Sequence, residues 1–493
     1  MRPRKSPLMS TFYRLVLAAP VAAHAIDSRG GSPPLAGAPG RPLAAAPRPR
    51  GNRLLGFALE LQRNQLRTYE RAMREYGDVV RLVVGPPGLR FELCCAFHPD
   101  GVRRVLAGAR EGYSKQTPGY REIAAAIGRG LVTSEGQLWQ RQRRLIQPLF
   151  TRKQIASYAT LMSEEAARAA DRWDRAVGPR GTVDAHSEMM RLTLRVVGRA
   201  IFGADVDHAT EVIRRTFPVL TRHTFRRAMA PAAPPAAWPT PGNLRAARAQ
   251  RALYALADDL IARRRTAGLG GQDLLSRLLD ARDPETGLAM DIQQVRDEAL
   301  IFLLAGHETT SSALTFTLQL LGRHPDEQQR VADEVAAVLA GRRPTVDDIP
   351  ALQRTAMVIK EAMRLNPPLY ALARRAEHED EIGGHRIPPG SLLVVSQWAT
   401  HRHPRIWDDP ETFNPDRFTP EREAARHRYA YFPFGGGPRA CLGSHFAIQE
   451  AQIALAVLLQ RYRIRAPLAP IPLDTSGMTL RPKRAVPIEL APR

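Results

Sequence analysis

FPFGGGPRACLG, residues 432–443, gathers four glycines around one arginine, Arg439, and one cysteine, Cys441, near the end of a 493-residue chain. Every glycine costs backbone entropy on folding, so a loop this rich in them needs a reason. Several chemistries are open to Cys441. A nucleophile needs a base beside it; His445 lies four residues on, with no evident third group. A zinc site needs about four ligands, and the other two cysteines, Cys94 and Cys95, are remote. A single thiolate suffices for an iron whose in-plane donors come from a macrocycle. The glycines would then bring backbone close to a flat rigid body and aim N–H groups at the sulfur. Arg439 can pair with an acidic group of such a cofactor, and a helix starting after Gly443 would offer its positive end to the thiolate. An inert core thiol is the plain alternative.

Composition narrows the setting. A hydrophobic content of 44% is ample for a large core, and three cysteines make neither a disulfide framework nor a zinc ribbon. A reducing, cytoplasmic location fits that usage. The formal net charge of +22 favours acidic partners: an acidic protein, nucleic acid or an anionic membrane surface. The arginines are spread along the chain, and no zinc-finger or RNA-binding signature accompanies them, so no nucleic-acid partner is expected. No stretch offers a clean transmembrane span, and no repeat of fixed period is evident.

Residues 1–50 stand apart. They are rich in Pro, Gly, Ala and Arg without periodicity, and read as a disordered extension. Within them FYRLVLAAPVAAHA, residues 12–25, loosely resembles a signal peptide, but its apolar run is short and broken by Pro20. Residues 51–493 read as one large domain. The stretch 54–77 has helical spacing, whereas DVVRLVVG (78–85) and RFELCCAFHP (90–99) alternate as strands. Helical segments then dominate to about residue 365, interrupted by PAAPPAAWPTPGN (231–243), a lid or a linker. Short strands and Gly/Pro turns follow from 366 to 415, and a helix follows Cys441. The fold class is therefore mainly α with a minor β portion. The longest apolar helical run starts at Val295 and carries His307, Glu308, Thr309 and Thr310 in its middle. A buried carboxylate is costly without partners, so that cluster needs an explanation.

FGGGPRACLG resembles the haem-binding loop of cytochromes P450, with Phe434, Gly437, Arg439, Cys441 and Gly443 where that signature wants them. Further motifs resemble the same family: AGHETT (305–310), EAMR (361–364), NPDRF (414–418) and WQRQRRLIQPLF (139–150). The resemblance spans about residues 52–490. It implies the P450 fold, a haem b cofactor, and Cys441 as axial iron ligand with Phe434 packed near the sulfur. It implies haem contacts from Trp139, Arg143, Ala305, Arg374, Phe434, Arg439, Cys441 and Gly443. Arg144 is expected to face outward, and Arg375 competes with Arg374 for the propionate role. Glu308 and Thr309 are expected to deliver protons during dioxygen activation. Glu361, Arg364 and Arg417 are expected to form a buried structural network. His307, Lys115 and His98 receive no catalytic role; the last two read as solvated or structural.

The function implied is a haem-thiolate monooxygenase inserting one oxygen atom from O2 into a small lipophilic substrate. Fatty acids, terpenoids, steroids and polyketides all qualify. Electrons would come from a ferredoxin or flavodoxin-like donor with its reductase, since no redox module is visible in the chain. A peroxygenase or a non-oxygenating rearrangement enzyme is the near alternative, and a haem-carrying binding or sensor protein the remote one. Pocket walls are expected from residues 113–128, 215–245, 298–309, 367–373 and 475–479, including Tyr120, Ile123, Phe302, Leu303, Leu369 and Tyr370.

Overall fold

The computed structural model describes residues 43–493, apart from 109–111, 178–180, 204–206, 231–232, 267–270 and 272. The expected extension therefore lies almost wholly outside the described residues. Its last residues do not. Ala46 is buried, the Arg81 N–H donates to Pro47 O at 2.9 Å, and the Arg386 N–H donates to Ala44 O at 3.2 Å. Ala44, Ala46 and Pro47, read as part of the extension, thus pack or bond against the sheet region. Composition marks where a chain lacks periodicity, but docking on a sheet edge uses backbone groups that any residue carries.

Ten helices carry the architecture: α1 (Ala58–Tyr76), α2 (Pro118–Ile127), α3 (Gly136–Ile146), α4 (Ala159–Val177), α5 (Ala185–Phe202), α6 (Asp207–Met229), α7 (Pro241–Thr266), α8 (Ile292–Arg323), α9 (Gln353–Leu365) and α10 (Ser444–Arg461). The main sheet has five strands, β1 (Val79–Val84), β2 (Phe91–Ala96), β3 (Tyr113–Ser114), β4 (Leu372–Ala376) and β5 (Leu392–Val395), in the order β1-β2-β5-β4-β3. The two alternating segments pair as an antiparallel hairpin running from Val79↔Ala96 to Val84↔Phe91. Strands β2 and β5 are parallel, while β4 returns antiparallel to β5. The fold is mainly helical with a minor strand portion, as the sequence pattern implies.

Helix α8 is the spine. Asp291 caps it, its carboxylate accepting from the Gln294 N–H at 2.8 Å. Its first turns enter one apolar core with α5, α6 and α7 through Leu300, Leu303 and Leu304. Its last turns enter another with α4, α9 and α10 through Leu314, Leu318 and Leu321. The polar midsection lies between these two cores. Gly306 is required there by packing, since a Cβ would lie 2.7 Å from Val197 Cγ2 on α5. The loop between α6 and α7 runs over the surface and is closed by Asn243, whose amide donates to the carbonyls of Pro235 and Trp238.

A buried charge network ties α9 to the long segment beyond β5. Glu361 and Arg364 are both fully buried and meet in a two-pronged pair of 2.7 and 2.8 Å. Arg364 also donates to the carbonyls of His401, Pro410 and Thr412. Arg417 stands 3.5 Å from the same Glu361 carboxylate and donates to Asp409 O. His401, also buried, accepts the Phe432 N–H at Nε2, 3.0 Å away. Burial and the neighbouring Arg364 and Arg402 push its pKa well down, which keeps the ring neutral and able to accept. The network thus reaches the first residue of the cysteine loop. Removing one partner of a buried pair strands the other charge. Glu361→Ala is expected to cost about 3–5 kcal/mol in denaturant unfolding. Lys360→Ala, which breaks the exposed Lys360–Glu423 pair, should cost no more than about 1 kcal/mol.

Candidate active site

The cysteine loop is shaped by two different constraints. Gly435 and Gly437 have φ of 70° and 64°, a region that disfavours side chains. At Gly437 a Cβ would sit 2.0 Å from the Leu106 carbonyl, and at Gly436 it would lie 2.4 Å from the Tyr429 ring. Gly437, which does not line the cavity, therefore serves close packing against protein, and Gly436 combines packing on Tyr429 with a place at the cavity wall. Gly435, Gly436 and Gly443 do line the cavity in front of the loop. The Cys441 N–H donates to Phe434 O at 3.0 Å and closes the loop.

Cys441 opens onto that cavity. Protein packed around the sulfur pushes its thiol up. The Gly443 N–H and the Arg143 guanidinium pull in the opposite direction, since both favour the thiolate. The neutral thiol is thus preferred unless a cation takes up the sulfur. The nucleophile reading loses its base: His445 is exposed and makes no hydrogen bond to Cys441 among the described residues. Among the described residues no group of three or more His, Cys, Asp or Glu side chains is gathered for a metal ion, so zinc has no ligand set.

Four cations line the same cavity: Lys115, Arg143, Arg374 and Arg439. Arg439 pairs with Glu135 at 2.9 Å, donates to Ser134 O, and lies over the Trp139 ring at 3.9 Å. Burial lowers its pKa to about 10, with Glu135 opposing and Arg374 adding to the shift. Arg143 donates to Ala440 O at 3.3 Å. Arg374 is buried and donates to Tyr120 Oη, whereas Arg375 is exposed. Lys115 is buried, with Nζ donating to Val132 O at 2.8 Å. Burial, then Arg374 and Arg439, push its pKa well down. Of the two readings of Lys115, solvated or structural, burial removes the first. The three arginines against Glu135 leave a surplus that a ligand bearing two carboxylates would neutralise, and such a ligand would also favour the charged form of Lys115. A thiol on one wall, that surplus at one edge and apolar surface elsewhere fit a haem. His98 caps the helix Pro99–Ala107, a structural role. Arg144 faces outward to Asp283 and Glu285.

Helix α8 forms the opposite wall. Ile301, Phe302, Ala305, Gly306, Thr309, Thr310 and Ala313 face the cavity, a stripe of helical period. Thr309 Oγ1 donates to Ala305 O at 2.7 Å, a bond within the helix. Glu308 points elsewhere: it is buried, pairs with Arg481 at 3.0 Å and does not line the cavity. Arg481 is held in turn by Asp474 at 3.1 Å. No local signal links Glu308 to an arginine 173 residues away. His307 is buried behind the helix, its ring 5.4 Å from that of Phe217, and burial lowers its pKa.

The expected substrate walls are only partly right. Tyr120, Phe302 and Leu369 line the cavity. Ile123 and Leu303 pack into the α6–α8 core instead. Tyr370 is turned away, bonded through Oη to Gln65, Thr475 O and Gly477 O. Residues 215–245 and 475–479 contribute no lining side chain among those described, so the lid reading of 231–243 has no cavity contact behind it.

A sequence model of the family described as Cytochrome P450 matches residues 47–488. The chain belongs to the cytochrome P450 family. It is similar to cyclooctatin synthase of Streptomyces melanosporofaciens, 37% identical over 90% of this chain and 93% of that one. Cyclooctat-9-en-7-ol 5-monooxygenase of the same organism is 36% identical, over 89% of this chain and 92% of that one. Pentalenene oxygenase of Streptomyces avermitilis is 34% identical, over 86% and 92%. The crystal structure of the cytochrome P450DA heme domain superposes with a TM-score of 0.82 at 29% identity, covering 92% of this chain and 98% of that one. Membership makes this P450 an oxidoreductase of the monooxygenase superfamily, whose cofactor is haem. No helix among the described residues is long and apolar enough to cross a membrane.

The two adjacent arginines provide a direct check. Arg374→Ala should weaken haem retention by about tenfold, the scale of a lost charge-assisted bond, in a haem-transfer assay to apomyoglobin. Arg375→Ala should leave retention unchanged.

Proposed function

We propose that this P450 hydroxylates a cyclic hydrocarbon or mono-alcohol of terpenoid type in the cytoplasm, using O2 and electrons from a ferredoxin or flavodoxin-like donor with its reductase. The observation that carries this reading is the cavity itself. Its cations gather at the edge beside Trp139, while Leu131, Val132, Phe150, Ile301, Phe302 and Leu369 supply apolar wall. Such a chamber accepts an apolar body and leaves little to hydrogen-bond except the hydroxyls of Thr309, Thr310 and Tyr120. Three relatives bear names of cyclic compounds, which favours that class over linear fatty acids.

Bound haem b supplies the oxygen activation, a chemistry that belongs to the cofactor. Cys441 would hold its iron through sulfur, and the Gly443 N–H on that sulfur would temper its electron donation. Arg143, Arg374 and Arg439 would hold the propionates with Lys115, and Trp139 braces the Arg439 guanidinium against its face. Phe434 shields the sulfur side. Ala305 leaves room on the opposite side, and Thr309, one turn on, holds a proton at Oγ1 for delivery into the cavity. Glu308 serves as the proton reservoir behind Thr309 and acts only when its carboxylate leaves Arg481. Glu361, Arg364 and Arg417 take no part in the chemistry; they seat the cysteine loop.

Reduced protein under carbon monoxide should show the strongly red-shifted main band of a thiolate-bound haem. Cys441→Ser should lose that band while retaining the fold. An unshifted band in the unmutated protein would overturn the assignment. Thr309→Ala should keep haem but lower product formed per electron pair, since a positioned proton donor is lost, with peroxide released instead. Incubation with a panel of cyclic terpenes, linear fatty acids and steroids tests the class. Turnover of fatty acids alone would refute the cyclic reading.

A further inference from the structure

Two carboxyl groups on α8, Asp297 and Glu298, have no part in the chemistry above, yet both are buried. They face the segment Gly128–Ser134, which joins α2 to α3. The Arg129 N–H donates to Asp297 Oδ2 at 2.9 Å, and the Leu131 N–H donates to Glu298 Oε2 at 3.1 Å. The segment approaches so closely that a Cβ at the points of contact would have to displace the α8 side chains. A Cβ on Gly128 would lie 2.1 Å from the Asp297 carboxyl carbon. One on Gly130 would lie 2.5 Å from Ile301 Cδ1 and 2.9 Å from Glu298 Oε2. Between these anchors the segment presents Leu131 and Val132 to the cavity. From the other side Lys115 Nζ donates to Val132 O and Arg439 donates to Ser134 O.

We infer that Glu298, assisted by Asp297, is a positioning residue that latches the wall segment Gly128–Ser134 onto α8 and so sets where Leu131 and Val132 meet the substrate. The inference rests on the cavity being the substrate chamber, and it deepens that reading. The latch also has a defined charge state. Glu298 Oε1 has no hydrogen-bond partner among the described residues. Burial raises the Glu298 pKa to about 8; the Leu131 N–H opposes the shift and Asp297 adds to it. The other charged and titratable groups around the pair are Asp291 and Arg296 on α8, and Tyr254 and Asp258 on α7. The segment itself meets the carboxyls through backbone N–H groups. The closed latch therefore binds a proton that the opened, hydrated carboxyl releases. Closure is fully favourable below the ordinary carboxyl pKa and weakens as pH rises towards 8. Above that it weakens no further.

Hydrogen exchange of the 128–134 segment in the haem-loaded protein tests this between pH 5.5 and 9, normalised to an unstructured peptide. The normalised exchange should rise at least about tenfold from pH 5.5 to 8 and then level off. Glu298→Gln, which keeps the acceptor without the charge, should remove the pH dependence and retain protection. Glu298→Ala and, independently, Gly130→Ala should exchange fast at every pH. Both should also weaken 4-phenylimidazole binding relative to imidazole, which is too small to reach the wall. Unchanged protection in both Glu298→Ala and Gly130→Ala would overturn the latch, as would Glu298→Gln following the unmutated pH profile. Failure of the terpenoid reading would show as absent product and would leave the exchange result untouched.

Discussion

One buried carboxylate, Glu361, governs how the cysteine loop is seated. It neutralises Arg364 fully and Arg417 in part, in a place where an unpaired guanidinium would be prohibitively costly. With its charge satisfied, Arg364 can spend its remaining donors on three backbone carbonyls, one of them at His401. His401 stays neutral because it is buried beside two arginines, and a neutral ring nitrogen accepts the Phe432 N–H. The loop that follows carries Cys441 to the cavity wall. Position is thus transmitted from helix α9 to sulfur through charge-assisted bonds, with no contact between Glu361 and the cavity itself.

The cavity is divided by electrostatics. At one edge Lys115, Arg143, Arg374 and Arg439 gather, with Glu135 paired to Arg439, and Arg374 lowers the proton affinity of both Lys115 and Arg439. Such an edge is stable only with additional negative charge, and it orients any dicarboxylate that enters. Away from it the walls are apolar and offer shape rather than hydrogen bonds. Helix α8 spans the boundary by dividing its faces. One stripe, from Phe302 through Ala305 to Thr309, borders the cavity; Leu303 and His307 support it from behind. Earlier on the same helix, Asp297 and Glu298 hold the wall segment that completes the enclosure.

Much of this is legible along the chain because it depends on local chemistry. The hairpin from Val79 to Ala96 follows from alternation, and α8 from an apolar run of helical length. The glycines around Cys441 point to backbone that must bend or approach closely. The reason for that approach was only half visible. Gly437 yields to the carbonyl of Leu106, far back in the chain, and Gly436 to the ring of Tyr429, whose inward turn no local pattern announces. Lys115 stayed open between solvated and structural because a lone lysine beside Ser and Gln gives no hint that its Nζ is turned inward. Tyr370 looked like wall because it is aromatic and follows Leu369, yet its hydroxyl finds partners on the far side.

The sequence by itself determined the chemistry on offer: one thiol in a glycine-rich loop, a helix with an acid and hydroxyls at its centre, and a Glu–Arg pair at helical spacing. Periodicity and residue type suffice for these, since they act over a few residues. Tertiary structure alone decided which of those groups face the cavity. Arg374 turns in and Arg375 out because β4 alternates its faces between two neighbours. Glu308 leaves the cavity for Arg481, and Glu298 turns to a backbone N–H far back in the chain. Burial makes every such group seek a partner wherever the fold supplies one, and that supply is set by distant segments meeting in space.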